Sequence, residues 1–158
     1  MNAEIISVDK ICIDERNFLK CRFGCPYYLT NMMCPPYVPS IVDFGKLIRK
    51  YKWAIIIECN LAEKKEDAKA FSIKLNHLVL SIESEASKQG FHYALGLSAG
   101  PCMLCDECVC LSNDLTPCRD PIRARPSMES SGISVFETVK NCTFKVISTS
   151  GYCMVLLV

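Results

Sequence analysis

Two stretches of this sequence resist regular secondary structure, and both are dense in cysteine. From Gly100 the chain reads Gly-Pro-Cys-Met-Leu-Cys-Asp-Glu-Cys-Val-Cys, followed by Pro117-Cys118-Arg119. From Cys21 it reads Cys-Arg-Phe-Gly-Cys-Pro-Tyr-Tyr, followed by Cys34-Pro35-Pro36-Tyr37. Cys21 to Ser40 holds four prolines, whose fixed φ and missing N–H groups argue against any regular element there. Twelve of the 158 residues are cysteine, so the fold must accommodate these loops and the chemistry must use them.

Disulfides, metal binding and thiol chemistry compete for so many thiols. Disulfide frameworks belong to short secreted chains that cannot build a core. At 158 residues, half of them hydrophobic, this chain can build one. Met1 to Asp9 has no basic region leading into a long apolar run. No segment approaches the ~20 apolar residues that cross a bilayer. A cytoplasmic protein is expected, in which thiols stay reduced and clustered cysteines hold metal.

Spacing sharpens that expectation. Cys102, Cys105 and Cys108 form C-x2-C-x2-C, and Cys118 follows beside a proline. Thiolates at this pitch can wrap one cubane while the fourth arrives from a distant turn, an arrangement similar to bacterial ferredoxins. Structural zinc sites more often use two separated pairs. The spacing therefore favours a [4Fe-4S] cluster on Cys102, Cys105, Cys108 and Cys118, with zinc as the alternative. Gly100 and Pro101 suit a tight turn that offers N–H groups to cluster sulfurs. Cys110 is a fifth candidate: a spare, an exchanged ligand or a structural thiol.

The first loop supplies Cys21, Cys25 and Cys34, bracketed by proline and aromatic residues, and lacks a fourth ligand. Cys12, Cys59 or Cys110 would complete a second cluster. Alternatively one iron stays open to a small ligand, or the loop holds zinc or packs over the other site. Cys12, Cys59, Cys142 and Cys153 lie in or beside apolar stretches, where free cysteine behaves as a small buried hydrophobe.

Other chemistry is sparse. No Ser/His/Asp constellation, P-loop or dinucleotide fingerprint is present. His77 and His92 stand apart from the cysteines and read as structural or solvent-facing. Eighteen basic and 17 acidic residues leave a formal charge of +1, which argues against nucleic-acid binding through bulk charge. Arg119, Arg123 and Arg125 could offset a thiolate-bound cluster or receive an anionic partner, or simply form salt bridges to Asp120 or Glu129. Tyr27, Tyr28 and Tyr37 could shield a cluster or merely pack.

The remaining chain alternates strands and helices. Ala3 to Ile13 reads as a strand, Ile41 to Lys50 as a short helix and Trp53 to Cys59 as a buried strand. Ala62 to Gln89 is the clearest helix, with Leu61, Ala68, Phe71, Leu75, Leu78, Ile82 and Ala86 read as one face and Gly90 as its stop. Phe91 to Leu97 reads as a strand. Ser134 and Glu137 have capping-box spacing for a last helix. Phe144 to Ser148 and Tyr152 to Val158 suggest a closing hairpin. One α/β domain over 1–158 is expected, a sandwich with a mixed sheet of about four to five strands, packed helices and two cysteine-rich loops.

The motifs Gly100-Pro-Cys-x-x-Cys-x-x-Cys, Pro117-Cys118-Arg119-x-Pro121 and Ala124-Arg125-Pro126-Ser127-Met128-Glu129 with Gly132-Ile133 resemble a prokaryotic domain-of-unknown-function family. Its members are described as predicted metal-binding proteins, frequent in methanogens and other anaerobes. Gly24-Cys25, Tyr28 and Cys34-Pro35-Pro36-Tyr37-x-Pro39 agree with the same family. The resemblance implies metal binding through Cys21, Cys25, Cys34, Cys102, Cys105, Cys108 and Cys118, with Cys110 an addition to that frame. It implies no settled activity.

Three functions follow as expectations. The first is a small iron–sulfur protein with one or two [4Fe-4S] clusters, acting in electron transfer or as an accessory in anaerobic metabolism. The second is an enzyme using a three-cysteine cluster with an open iron, and the third a zinc-stabilised interaction module. A redox partner protein or a small-molecule substrate is expected, with neither nucleic acid nor membrane.

Overall fold

A computed structural model describes residues 1–60, 68–111, 116–147 and 150–158. In chain order the elements are β1 (Asn2–Ser7), α1 (Arg16–Gly24), α2 (Ile41–Ile48), β2 (Trp53–Asn60), α3 (Ala68–Lys88), β3 (Leu95–Leu97), α4 (Val135–Val139) and β4 (Ser150–Leu157). Short 3-10 turns cover Val8–Lys10 and Val109–Leu111.

The four strands form one sheet in the order β1-β2-β4-β3, with each neighbouring pair antiparallel. β2 and β3 therefore run the same way, joined across β4 by α3. The sheet is thus antiparallel throughout and not the mixed sheet expected; the parallel bridge between Ser98 and Ser127 is isolated and lies outside the strands.

Strand alternation sends side chains to opposite faces, and both faces are covered. Ile6, Ala54, Ile56, Met154 and Leu156 pack with Phe44 and Ile48 of α2, Val139 of α4, and Met128 and Ile133. On the other face Ile57, Cys153, Val155 and Leu157 pack with Leu75, Val79 and Ala86 of α3. Every residue from Tyr152 to Leu157 is buried, which explains the unbroken apolar run of β4.

Several boundaries differ from those expected. The first strand ends at Ser7, because its hydroxyl accepts the Asp9 N–H and starts a turn. Cys21 to Gly24 are helical, the end of α1: the prolines begin only at Pro26, and Asp14 Oδ1 accepts the Arg16 N–H at the helix start. No residue of α1 is fully buried, so no apolar stripe announces it. The start of α3 before Ala68 lies outside the described residues. Residues 91–94 wrap the end of α3, through Phe91 N–H to Ala86 O, and leave β3 only three residues.

The capping box does not form. Ser134 is the N-cap but makes no side-chain bond, and Glu137 pairs with Lys140 at 2.6 Å. The closing hairpin is also absent among the described residues. β4 has β2 on one edge and β3 on the other. Side chains hold the segment before it: Thr143 donates to Glu4 Oε2 from its N–H (2.6 Å) and its hydroxyl (2.7 Å), and Ile147 N–H donates to the Tyr152 hydroxyl (2.8 Å). Ser148 lies outside the described residues.

Candidate metal centre

The second cysteine loop leaves the sheet at the end of β3. Ser98 is fixed on both sides, its N–H donating to Pro126 O (2.8 Å) and its carbonyl accepting from Met128 N–H (3.1 Å). Gly100 then takes a left-handed φ of 68°, a conformation glycine adopts without steric penalty. From here α3 holds the loop through polar residues at helical spacing. Lys69 Nζ pairs with Asp106 (2.6 Å), Ser72 Oγ donates to Pro101 O (3.0 Å) and Asn76 Nδ2 donates to Arg123 O (2.8 Å). Two turns further on, Glu83 receives Arg125 Nε (2.8 Å) and Nη2 (2.5 Å) and also the Gly96 N–H (2.5 Å).

Cys102, Cys105, Cys108 and Cys118 line one cavity of about 180 Å³, together with Tyr27, Asn31 and Met32 of the first loop. Arg119 Nη1 donates to Glu107 O (3.0 Å) and ties the Cys118 segment to the C-x2-C-x2-C turn. Arg123 pairs with Asp120 and Arg125 with Glu83, so these two arginines act mainly as braces.

The first loop lies against the second. α1 delivers Cys21 in its last turn and Cys25 at its C-cap, one helical turn apart. Both line a second cavity of about 310 Å³ with Ala99, Glu129 and Tyr152. Cys34 is buried at 8% exposure. Its N–H donates to Asn31 O (3.0 Å), and the Pro35–Pro36 peptide that follows is cis. The Asn31 turn grips the second loop: Asn31 Nδ2 donates to Cys102 O (2.7 Å) and Met32 N–H to Cys108 Sγ (3.3 Å).

Electrostatics separates these thiols. Burial pushes Cys34 up to about 12, and charge on Cys25, Cys21, Cys102 and Cys108 adds to the shift, so Cys34 lies within electrostatic range of both groups. Burial also raises Cys21, with Cys25 and Glu129 adding to it. Cys102 is raised by burial, against a bond from the Leu104 N–H. Cys108 differs. Burial pushes it up, but the N–H groups of Cys110, Met32 and Val109 and the Cys110 thiol outweigh that, and it ends below the ordinary thiol value.

All twelve cysteines are free thiols. The candidates for a fourth first-loop ligand go elsewhere. Cys12 lies beside α4, with its N–H on Thr138 Oγ1 (3.0 Å) and Asn141 Nδ2 3.6 Å from its sulfur. Cys59 hydrogen-bonds Cys153 on the α3 side of the sheet. Cys110 pairs with Cys108. His77 and His92 are exposed. Tyr27 reaches the second-loop cavity, Tyr28 packs edge-on against Phe18 at 6.3 Å, and Tyr37 is exposed. Among the described residues no three His, Cys, Asp or Glu side chains are gathered closely enough to hold a single metal ion.

Three participants were not legible as such in the sequence. Asn31 and Met32 join the loops, and Glu129 enters the first-loop cavity. The polar stripe Lys69, Ser72, Asn76 and Glu83 was the one readable signal, since it follows the periodicity of the apolar stripe beside it.

The donor set is chemically apt for a thiophilic metal: four thiols around one cavity, three near another, and backbone N–H groups directed at sulfur. No helix among the described residues is long and apolar enough to cross a membrane. Neither a curated protein nor a solved structure matches the chain. The family described as predicted metal-binding protein (DUF2284) matches it over residues 4–157, and the chain belongs to that family.

Proposed function

We propose that this metal-binding protein carries [4Fe-4S] clusters, one on Cys102, Cys105, Cys108 and Cys118 and a second involving Cys21, Cys25 and Cys34, and that it transfers electrons in a reducing cytoplasm. The observation that carries the reading is the second-loop cavity, in which C-x2-C-x2-C and the remote Cys118 meet around one space. Zinc at ~2.3 Å from each sulfur draws its ligands into a tight tetrahedron. Four thiols spread around a cavity of about 180 Å³ suit a polynuclear group better.

A cluster supplies one-electron storage when bound. The chain's own residues prepare that role. The Met32 N–H and its neighbours stabilise negative charge on Cys108, and hydrogen bonds to ligand sulfur are one of the protein's controls on potential. Cys34 lies within electrostatic range of thiols of both loops, a proximity that favours electron exchange between the two sites. A redox partner protein is the expected recipient.

Anaerobic purification followed by iron, sulfide and zinc analysis tests the reading. The expected protein is brown, contains acid-labile sulfide and gives a paramagnetic signal on reduction. A colourless protein that takes up only zinc under these conditions overturns it.

A further inference from the structure

The function proposed above uses the thiols of the two loops and leaves Cys59 and Cys153 aside. Neither lines a cysteine cavity. Strand register brings them together. Cys59 of β2 stands opposite Gly151, and Cys153 of β4 opposite Ile57, so the two thiols are diagonal neighbours on one face of the sheet. Gly151 offers no side chain to Cys59. The space above it is filled from α3, since a Cβ there would stand 2.7 Å from Phe71 Cε1 and 3.1 Å from Leu75 Cδ1. The Cys59 sulfur instead meets the Cys153 thiol, which donates to it. We propose that Cys59 is a site of oxidation by small hydroperoxides, with Cys153 as the hydrogen-bond donor that activates it.

Exposure divides the two roles. Cys153 is 0% exposed, whereas Cys59 is half-buried, so a small reagent reaches Cys59 and not its partner. Diagonal neighbours lie roughly 7 Å apart, whereas a disulfide needs Cβ atoms about 4 Å apart. The pair therefore suits a thiol–thiol hydrogen bond rather than a bridge.

The donor matters because the thiolate is the nucleophile. Apolar surroundings alone push a thiol up. Cys142 shows this: it donates its own proton to Thr138 O (3.8 Å), and burial raises it to about 11. Cys59 also packs against an apolar cluster that includes Ile57, Leu75 and Val155. Cys59, however, accepts from Cys153, and that bond outweighs burial and brings it down to about 7. The Met1 amino group adds to the lowering, and the adjacent Glu58 opposes it. The same bond, together with burial, raises Cys153, so Cys153 stays protonated and remains the donor.

The oxidation balances as follows. The Cys59 thiolate attacks one oxygen of the hydroperoxide. An S–O bond forms as the O–O bond breaks, and sulfur gives up two electrons. The departing oxyanion takes a proton from water. Cys59 is left as a sulfenic acid, the hydroperoxide is reduced, and Cys153 keeps its proton.

The test uses the full chain purified anaerobically with its metal. Limiting iodoacetamide at neutral pH, with peptides mapped by mass spectrometry, ranks Cys12, Cys59, Cys110, Cys142 and Cys153, the thiols outside the proposed ligand set. Cys59 is expected to label first and Cys153 last. Brief exposure to hydrogen peroxide in the presence of dimedone is expected to place the sulfenic adduct on Cys59. Cys153→Ala removes the donor and is expected to slow Cys59 labelling ~5–10-fold, the loss of thiolate being partly offset by higher nucleophilicity. Its pH midpoint is expected to move up. Cys153→Ser keeps an O–H donor and is expected to recover part of the rate, which a packing role alone would not require. Wild-type Cys59 that labels no faster than Cys142 overturns the proposal without recourse to any variant. So does a peroxide adduct absent from Cys59, or a Cys153→Ala rate equal to that of the wild type.

Discussion

The two cysteine loops bear similar residues and are supported very differently. The second loop rests on α3: Lys69, Ser72 and Asn76 bond to it or to the segment that follows, and Glu83 braces its two ends through Gly96 and Arg125. The first loop makes mostly local turns after α1 and reaches the second through Asn31 and Met32. One site is built on the scaffold, and the other is partly built on its neighbour. The electrostatics follows the same division. Cys102, Cys34 and Cys21 are all raised, but in the second loop Cys108 receives enough N–H donors to lower its proton affinity.

The comparison breaks most sharply at Cys108, which is both a proposed ligand and the acceptor that holds Met32. Cys108→Ser is expected to abolish the second site's metal and also weaken the first. Cys21→Ser is expected to empty only the first. Metal counted per chain in the two variants checks this, and equal losses would show that neither site depends on the other.

Arg125→Ala comes next. The Arg125–Glu83 pair is only 16% exposed on each side. Removing one partner of a buried pair costs about 3 kcal/mol, the lower end of the range for such breaks. Denaturant unfolding should register this loss. Asn31→Ala is expected to cost ~1–3 kcal/mol, because it leaves the Cys102 carbonyl and the Met33 N–H without their side-chain partner. Its more telling effect is a loosened first loop with the second site's metal retained.

Acidification compares the sites without mutation. Metal binds the thiolate, so binding releases protons and affinity falls as pH falls. Cys34 is raised to about 12 and Cys21 is raised; in the second loop Cys102 is raised too, but Cys108 is lowered. Protons therefore compete harder at the first loop, and its metal should leave first as pH falls. Following the two spectroscopic signals through an acid titration checks the order. The smallest effects are expected from Cys12→Ser and Cys59→Ser, which should leave metal content unchanged; loss of first-site metal in either would return that thiol to the ligand set.

Much of the scaffold was readable because its signals are local. Trp53 to Cys59 was recognisable from its β-branched run, α3 from its apolar stripe and Gly90 as its stop. α1 was not, because a helix with no buried residue shows no amphipathic period. The closing hairpin failed for a nonlocal reason. The sequence places Phe144 to Ser148 beside Tyr152 to Val158, but β4 already has partners on both edges from β2 and β3.

The metal site divides along the same line. Cys102, Cys105 and Cys108 were recognisable as candidate ligands from their own spacing, since residues a few positions apart stay neighbours whatever the surrounding fold. The amino-acid order alone therefore established a cysteine-rich metal-binding chain with an α/β scaffold. Only the tertiary structure decided that Asn31 would meet Cys102 across 71 residues, that Cys34 would come within electrostatic range of both groups of thiols, and that Glu129 would share a crevice with Cys21. Those encounters depend on how α3 and the 127–132 turn pack against the sheet, and packing between distant segments leaves no periodicity for a single sequence to show.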